Sequence, residues 1–70
     1  MNELELKAIF GEMKDDTRFN LYLKSGRNFL IDKKDTEIIC DSGILRVKAN
    51  DNLTSFVPIS NIDYIEFFTD

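Results

Sequence analysis

The 70-residue chain has no histidine, one cysteine, one proline and three glycines. Without histidine, the usual base beside a cysteine nucleophile is missing, and Cys/His zinc sites are excluded. A single cysteine forms no intramolecular disulfide, and Cys40, between Ile39 and Asp41, reads as a small core residue. No apolar run approaches the roughly 18 residues that a membrane span needs. The opening MNELELKAIF is acidic where a signal peptide is basic, and it has no continuous apolar stretch. The expectation is a non-enzymatic protein of the cytoplasm, with no cofactor, no metal and no membrane contact.

A hydrophobic fraction of 43% with 31% charged residues describes a folded domain and not a disordered chain. At this length a lone core supplies only about 3–5 kcal/mol. The net charge of −4 is unevenly spread. Residues 1–35 carry seven acidic and seven basic groups, whereas residues 36–70 carry six acidic groups against Arg46 and Lys48 alone. An acidic half opposes phosphate backbones at long range, though a local basic face remains open to it.

Leu6, Ile9, Phe10 and Met13 recur at helical spacing, which predicts an amphipathic helix over about 3–14. Asn2 and Glu5 have the spacing of a capping box, and Glu3 and Lys7 form a favourable i, i+4 pair. Gly11 weakens the last turn. From Thr17 the period changes to two. Alternating or short apolar runs predict strands at about 18–24, 28–32, 37–41, 44–49, 55–59 and 63–68. Ser25-Gly26, Ser42-Gly43 and Asn50-Asp51-Asn52 are the turn signals between them. Pro58 has to stand at an edge or strand end. Ile59, Ile62 and Ile65 are three apart, as a tight 3₁₀ connection requires. The fold expected is α+β: one domain, with the helix packed on a strongly bent, five-stranded antiparallel sheet that forms a small barrel.

Phe19-Asn20-Leu21-Tyr22-Leu23-Lys24-Ser25-Gly26-Arg27 resembles the first strand and glycine turn of the Sm-like, Hfq-like family. Asp35 lies one position before that family's aspartate. Val57-Pro58-Ile59-Ser60-Asn61-Ile62-Asp63-Tyr64-Ile65 is similar to its closing turn and last strand. The resemblance implies an Sm-like or SH3-like barrel, ring assembly and RNA binding. Leu30 or Ile31 stands where the family bends its second strand at a glycine, and Ile59-Ser60 stands in place of a Lys-His pair. The loop between the third and fourth strands is longer than the family's.

Four sets of residues are candidates for function. Tyr64, Glu66 and Phe68 leave two rings on the outer face of the last strand, a surface for a second copy or a protein partner. Tyr22 with Lys24, Arg27, Lys33 and Lys34 could grip single-stranded RNA by stacking and charge. Asp41, Asp51, Asp63, Glu66 and Asp70 could occupy a basic surface of a partner, as a small acidic inhibitor of phage or mobile-element type would. Asp32, Asp35 and Glu37 crowd together but lack the spacing of a calcium loop, and Lys33-Lys34 separates them, so they read as a solvated turn.

Overall fold

The computed structural model describes residues 1–49 and 53–68. The turn expected at Asn50-Asp51-Asn52 therefore lies outside the described residues, as does Asp70. Helix α1 spans Glu3–Glu12. The Asn2 side chain accepts from the Glu5 amide at 2.8 Å and donates to the Glu5 carboxylate at 2.6 Å, so the N-cap bond of a capping box is made and its second bond comes from the Asn2 side-chain amide in place of the backbone N–H. Met13 leaves the helix with extended backbone, shortening the element expected to reach residue 14. No basic residue stands in its last turn. Instead the Lys33 ammonium reaches over from another element and donates to the Met13 carbonyl at 2.8 Å.

Six strands follow among the described residues: β1 Arg18–Leu23, β2 Asn28–Asp32, β3 Thr36–Asp41, β4 Ile44–Ala49, β5 Thr54–Pro58 and β6 Ile62–Phe67. They form two three-stranded antiparallel sheets, ordered β2-β1-β6 and β3-β4-β5. In place of the single five-stranded sheet expected from the sequence there are two three-stranded sheets, and no pairing between them closes a barrel among the described residues. A 3₁₀ turn, Lys33–Asp35, carries the chain from β2 to β3, and a second, Ile59–Asn61, carries it from β5 to β6. The first is started by Asp32, whose carboxylate accepts from the Lys34 amide at 3.2 Å. It redirects the chain where a glycine bend could have kept one continuous strand.

Two turns depend on left-handed backbone. Ser42 (φ 53°) and Gly43 (φ 79°) form the two-residue loop between Asp41 and Ile44, and positive φ at both positions matches the right-handed twist of the hairpin. Gly26 (φ 93°) closes the β1–β2 turn, its amide donating to the Leu23 carbonyl at 2.9 Å.

Alternation puts Phe19, Leu21, Ile31, Leu45 and Val57 on the facing sides of the two sheets, where all are buried. Ile59 and Ile62, one 3₁₀ turn apart, are buried with them. Helix α1 packs along β3 and drops Leu6 fully into this core. Two hydrogen bonds tie its N-terminal end to the sheets. The Glu3 carboxylate accepts from the Gly43 amide at 2.6 Å, and the Met1 amino group donates to the Ile62 carbonyl at 3.4 Å. The helix therefore sits in the mouth between the edges β3 and β6. The opposite mouth, between β2 and β5, stays open as an apolar groove of about 260 Å³ lined by Phe29, Leu30, Val47, Leu53 and Val57, among others.

Candidate functional site: two outer sheet faces and their edges

Alternation also fixes what each sheet shows to solvent. On the sheet β2-β1-β6, register places three cross-strand rows on the outer face: Asn28–Tyr22–Tyr64, Leu30–Asn20–Glu66 and Asp32–Arg18–Phe68. The Tyr22 and Tyr64 rings stack, with centroids 4.4 Å apart and planes 13° from parallel. The Arg18 guanidinium lies 5.2 Å from the centre of the Phe68 ring, a cation–π contact on an exposed site. Tyr64, Glu66 and Phe68, expected to share one face, do share it, and Tyr22 joins them. The Tyr64 hydroxyl titrates above its ordinary 10.0, first because withdrawal from water disfavours the phenolate, then by repulsion from Tyr22, Glu66 and Asp63.

The cations proposed for RNA do not converge. Lys24 and Arg27 sit at the β1–β2 turn. Lys33 and Lys34 lie beyond the far end of that hairpin, five residue steps or on the order of 17 Å away. Lys33 is also engaged, by the Met13 carbonyl and by Asp15 at 3.7 Å. The acidic set is dispersed as well. Asp41 ends β3, Asp63 and Glu66 belong to β6 in the other sheet, and Asp51 and Asp70 lie outside the described residues. Among the described residues, Asp32, Asp35 and Glu37 do not form a group able to hold a metal ion.

Cys40 is half-buried on β3. Burial first, then the nearby Glu3 and Asp41 carboxylates, push its thiol above the ordinary 9.0, with Lys7 opposing. The raised pKa favours the protonated thiol at neutral pH.

The second outer face was not anticipated. On β3-β4-β5 the rows are Asp41–Ile44–Pro58, Ile39–Arg46–Phe56 and Glu37–Lys48–Thr54. Phe56 is 67% exposed, and Ile39 and Ile44 are exposed beside it. With Asp41 and Arg46 they line a shallow depression of about 370 Å³. Arg46 reaches Glu37 only at 4.0 Å, a weak surface pair. The alternation of Phe56 with Val57 carried the signal: if Val57 is core, Phe56 must face out.

The strand edges complete the picture. Ala49 donates to Leu53 and Gly43 accepts from Ile59, both at 2.9 Å. Odd-numbered residues of β4 therefore bond β5, and the backbone groups of Thr54 and Phe56 point away from the sheet. Pro58 occupies the next outward position, where its missing donor costs no ladder bond. On β6, Phe68 donates to the Arg18 carbonyl at 3.1 Å, so the backbone groups of Ile65 and Phe67 point outward by the same alternation. On β2, the Leu23 amide donates to the Arg27 carbonyl at 2.8 Å, which turns the backbone groups of Asn28 and Leu30 outward.

No protein family, curated protein or solved structure matches this chain.

Proposed function

We propose that this chain is a non-enzymatic assembly module of the cytoplasm, a homo-oligomer built by pairing strand edges. In this reading the two sheets act as one strongly bent barrel of Sm-like or SH3-like character. The carrying observation is the pair of edges β5 and β6, where the outward backbone groups of Thr54, Phe56, Ile65 and Phe67 have no partner among the described residues. Such edges are templates for a further strand. The chain also has reason to use them. Among the described residues nine large apolar side chains stay exposed against nine that are buried, so association would enlarge a core that is small for independent stability.

Charge favours pairing β6 of one copy with β5 of the next over pairing like with like. Strand β6 carries Asp63 and Glu66, and two such strands side by side repel. Strand β5 has no charged residue, and its neighbour β4 presents Arg46 and Lys48. An unlike contact of this kind closes into a ring or runs on as a filament.

Deleting β6 would not test this, because β6 is a ladder partner of β1 and its loss would unfold the sheet. Thr54→Pro is the sharper perturbation: it removes an outward donor and leaves the β4–β5 ladder intact. Light scattering on a sizing column should give a multiple of 8.1 kDa for the native chain and a shift toward monomer for Thr54→Pro, with an unchanged circular dichroism spectrum. A native chain that is monomeric at the highest concentration it tolerates would refute the assembly reading.

RNA binding is the second reading, favoured by the stacked Tyr22–Tyr64 pair on a face that Lys24 and Arg27 border. Affinity for single-stranded RNA should then fall steeply with salt and fall again in Tyr64→Ala. Absence of binding at low salt retires it.

A further inference from the structure

The outer face of β3-β4-β5 shares Phe56 with the edge used in the assembly reading but presents its side chain and not its backbone, and its chemistry is ordered in rows. Along β5 it is uncharged, with Phe56 and Pro58. Along β4 it is basic, with Arg46 and Lys48 next to Ile44. Along β3 it is acidic at both ends, with Glu37 and Asp41 on either side of Ile39. Phe56, Ile39 and Ile44 are exposed around Arg46, and that guanidinium is only weakly held by Glu37. An exposed aromatic ring beside an incompletely paired arginine is the composition of a binding hot spot.

We propose that this face docks an acidic amphipathic helix of another protein. A helix fits and a strand does not. A strand laid on a sheet face would leave its backbone groups buried without partners, whereas a helix satisfies its own. Three strands span about 10 Å, the width of one helix. Arg46 and Lys48 are two residues apart on one strand, so their side chains stand about 7 Å apart, close to the spacing of carboxylates at i and i+4 on a helix. The bound helix lies along the strands, with apolar side chains over Phe56 and Ile44 and its two carboxylates over Arg46 and Lys48. Glu37 and Asp41 repel those carboxylates from β3 and so set the orientation.

A second copy of this chain is a poor occupant. Two such faces stacked about a two-fold axis through their centres would set Arg46 against its own equivalent. The outward face of α1 offers Leu4 as its one large apolar side chain, beside Glu5, Ala8 and Glu12. Neither supplies a row of apolar groups next to paired carboxylates.

The test is a titration of isotope-labelled protein with a synthetic helical peptide bearing leucines on one stripe and two glutamates at i and i+4 beside it. An otherwise identical peptide with lysines serves as the comparison. Amide shifts should move at Ile39, Ile44, Arg46, Lys48 and Phe56. Binding should weaken with added salt, and Arg46→Gln should loosen it by about tenfold, as expected for one charge-assisted contact. Arg46→Glu should reverse the preference toward the lysine peptide. Both variants change an exposed side chain, and their dispersed spectra will show that the fold is kept. No binding of the glutamate peptide, equal binding of the lysine peptide, or shifts confined to the tyrosine face or the β2–β5 groove would overturn the proposal.

Discussion

Lys33→Met isolates what one cation contributes to the fold. Its ammonium donates to the Met13 carbonyl at 2.8 Å and stands 3.7 Å from Asp15, with a quarter of the side chain exposed. A hydrogen bond from a charged donor is worth about 1.5–3 kcal/mol when well buried. Residual solvent access at Lys33 reduces this to roughly 1–2 kcal/mol. The Asp15 carboxylate is fully solvated, so its pairing adds little. Methionine keeps the aliphatic stem that lies against the chain and removes only the donor and the charge. Lys34, one residue on and exposed, makes no such contact, and Lys34→Met should fall within about 0.5 kcal/mol of the native chain. Urea unfolding followed by circular dichroism measures both, with the slope unchanged if the unfolded state is unaffected. Equal stability of the two variants would refute the capping role and return Lys33 to the pool of solvated surface charges. The result also bears on RNA, because a lysine spent on tying the helix to the sheet is not available to a phosphate.

Cys40 should react slowly with iodoacetamide at neutral pH and quickly once the chain is unfolded in urea, since its raised pKa keeps the thiol protonated. Tyr64 should ionise above pH 10.0 in the folded chain, seen as a late component in the 295 nm titration that Tyr64→Phe removes. Its stabilising contribution is whole below pH 10.0 and is lost as pH rises through the raised value, so Tyr64→Phe should flatten the alkaline fall in stability. Phe19 and Ile62 are fully buried. Ile62→Val should cost about 0.5–1.5 kcal/mol and Phe19→Ala about 3–5 kcal/mol, the latter enough to unfold a domain of this size. A folded Phe19→Ala chain with native unfolding midpoint would contradict the assigned core.

Local pattern made much of the fold legible. The capping box Asn2/Glu5 and the glycine-bearing turns Ser25-Gly26 and Ser42-Gly43 are short-range devices, and each acts within a few residues of itself. Periodicity of two sorted Phe19 and Leu21 from Asn20 and Tyr22 because it needs no knowledge of the partner strand. What it could not give was the division into sheets. Whether the strands expected at 28–32 and 37–41 run on in one bent sheet or pass into separate sheets depends on the Asp32 carboxylate capping a 3₁₀ turn and on Lys33 finding the Met13 carbonyl twenty residues earlier. Helix length is overread for a related reason: periodicity carries the expected helix to residue 14, whereas it stops at Glu12 and the cation near its end, Lys33, comes from another element.

The candidate sites divide along the same line. Tyr64, Glu66 and Phe68 share a face by alternation alone, and the sequence suffices to group them. Tyr22 meets Tyr64 only because β1 pairs with β6 in a register that passes through a bulge at Leu23, a long-range choice with no local signature. Phe56 was hidden by the opposite error. Phe56-Val57-Pro58-Ile59 is a short apolar run, so alternation alone does not say whether Phe56 or Val57 faces the core; Val57 is the buried one. Only pairing with Arg46 across β4 shows which of its residues face out. Exposed apolar groups that sequence assigns to the core are therefore where an interaction surface on a small sheet domain should be sought, since alternation guarantees that every fully apolar strand in a two-sheet sandwich turns half its side chains toward solvent or toward a partner.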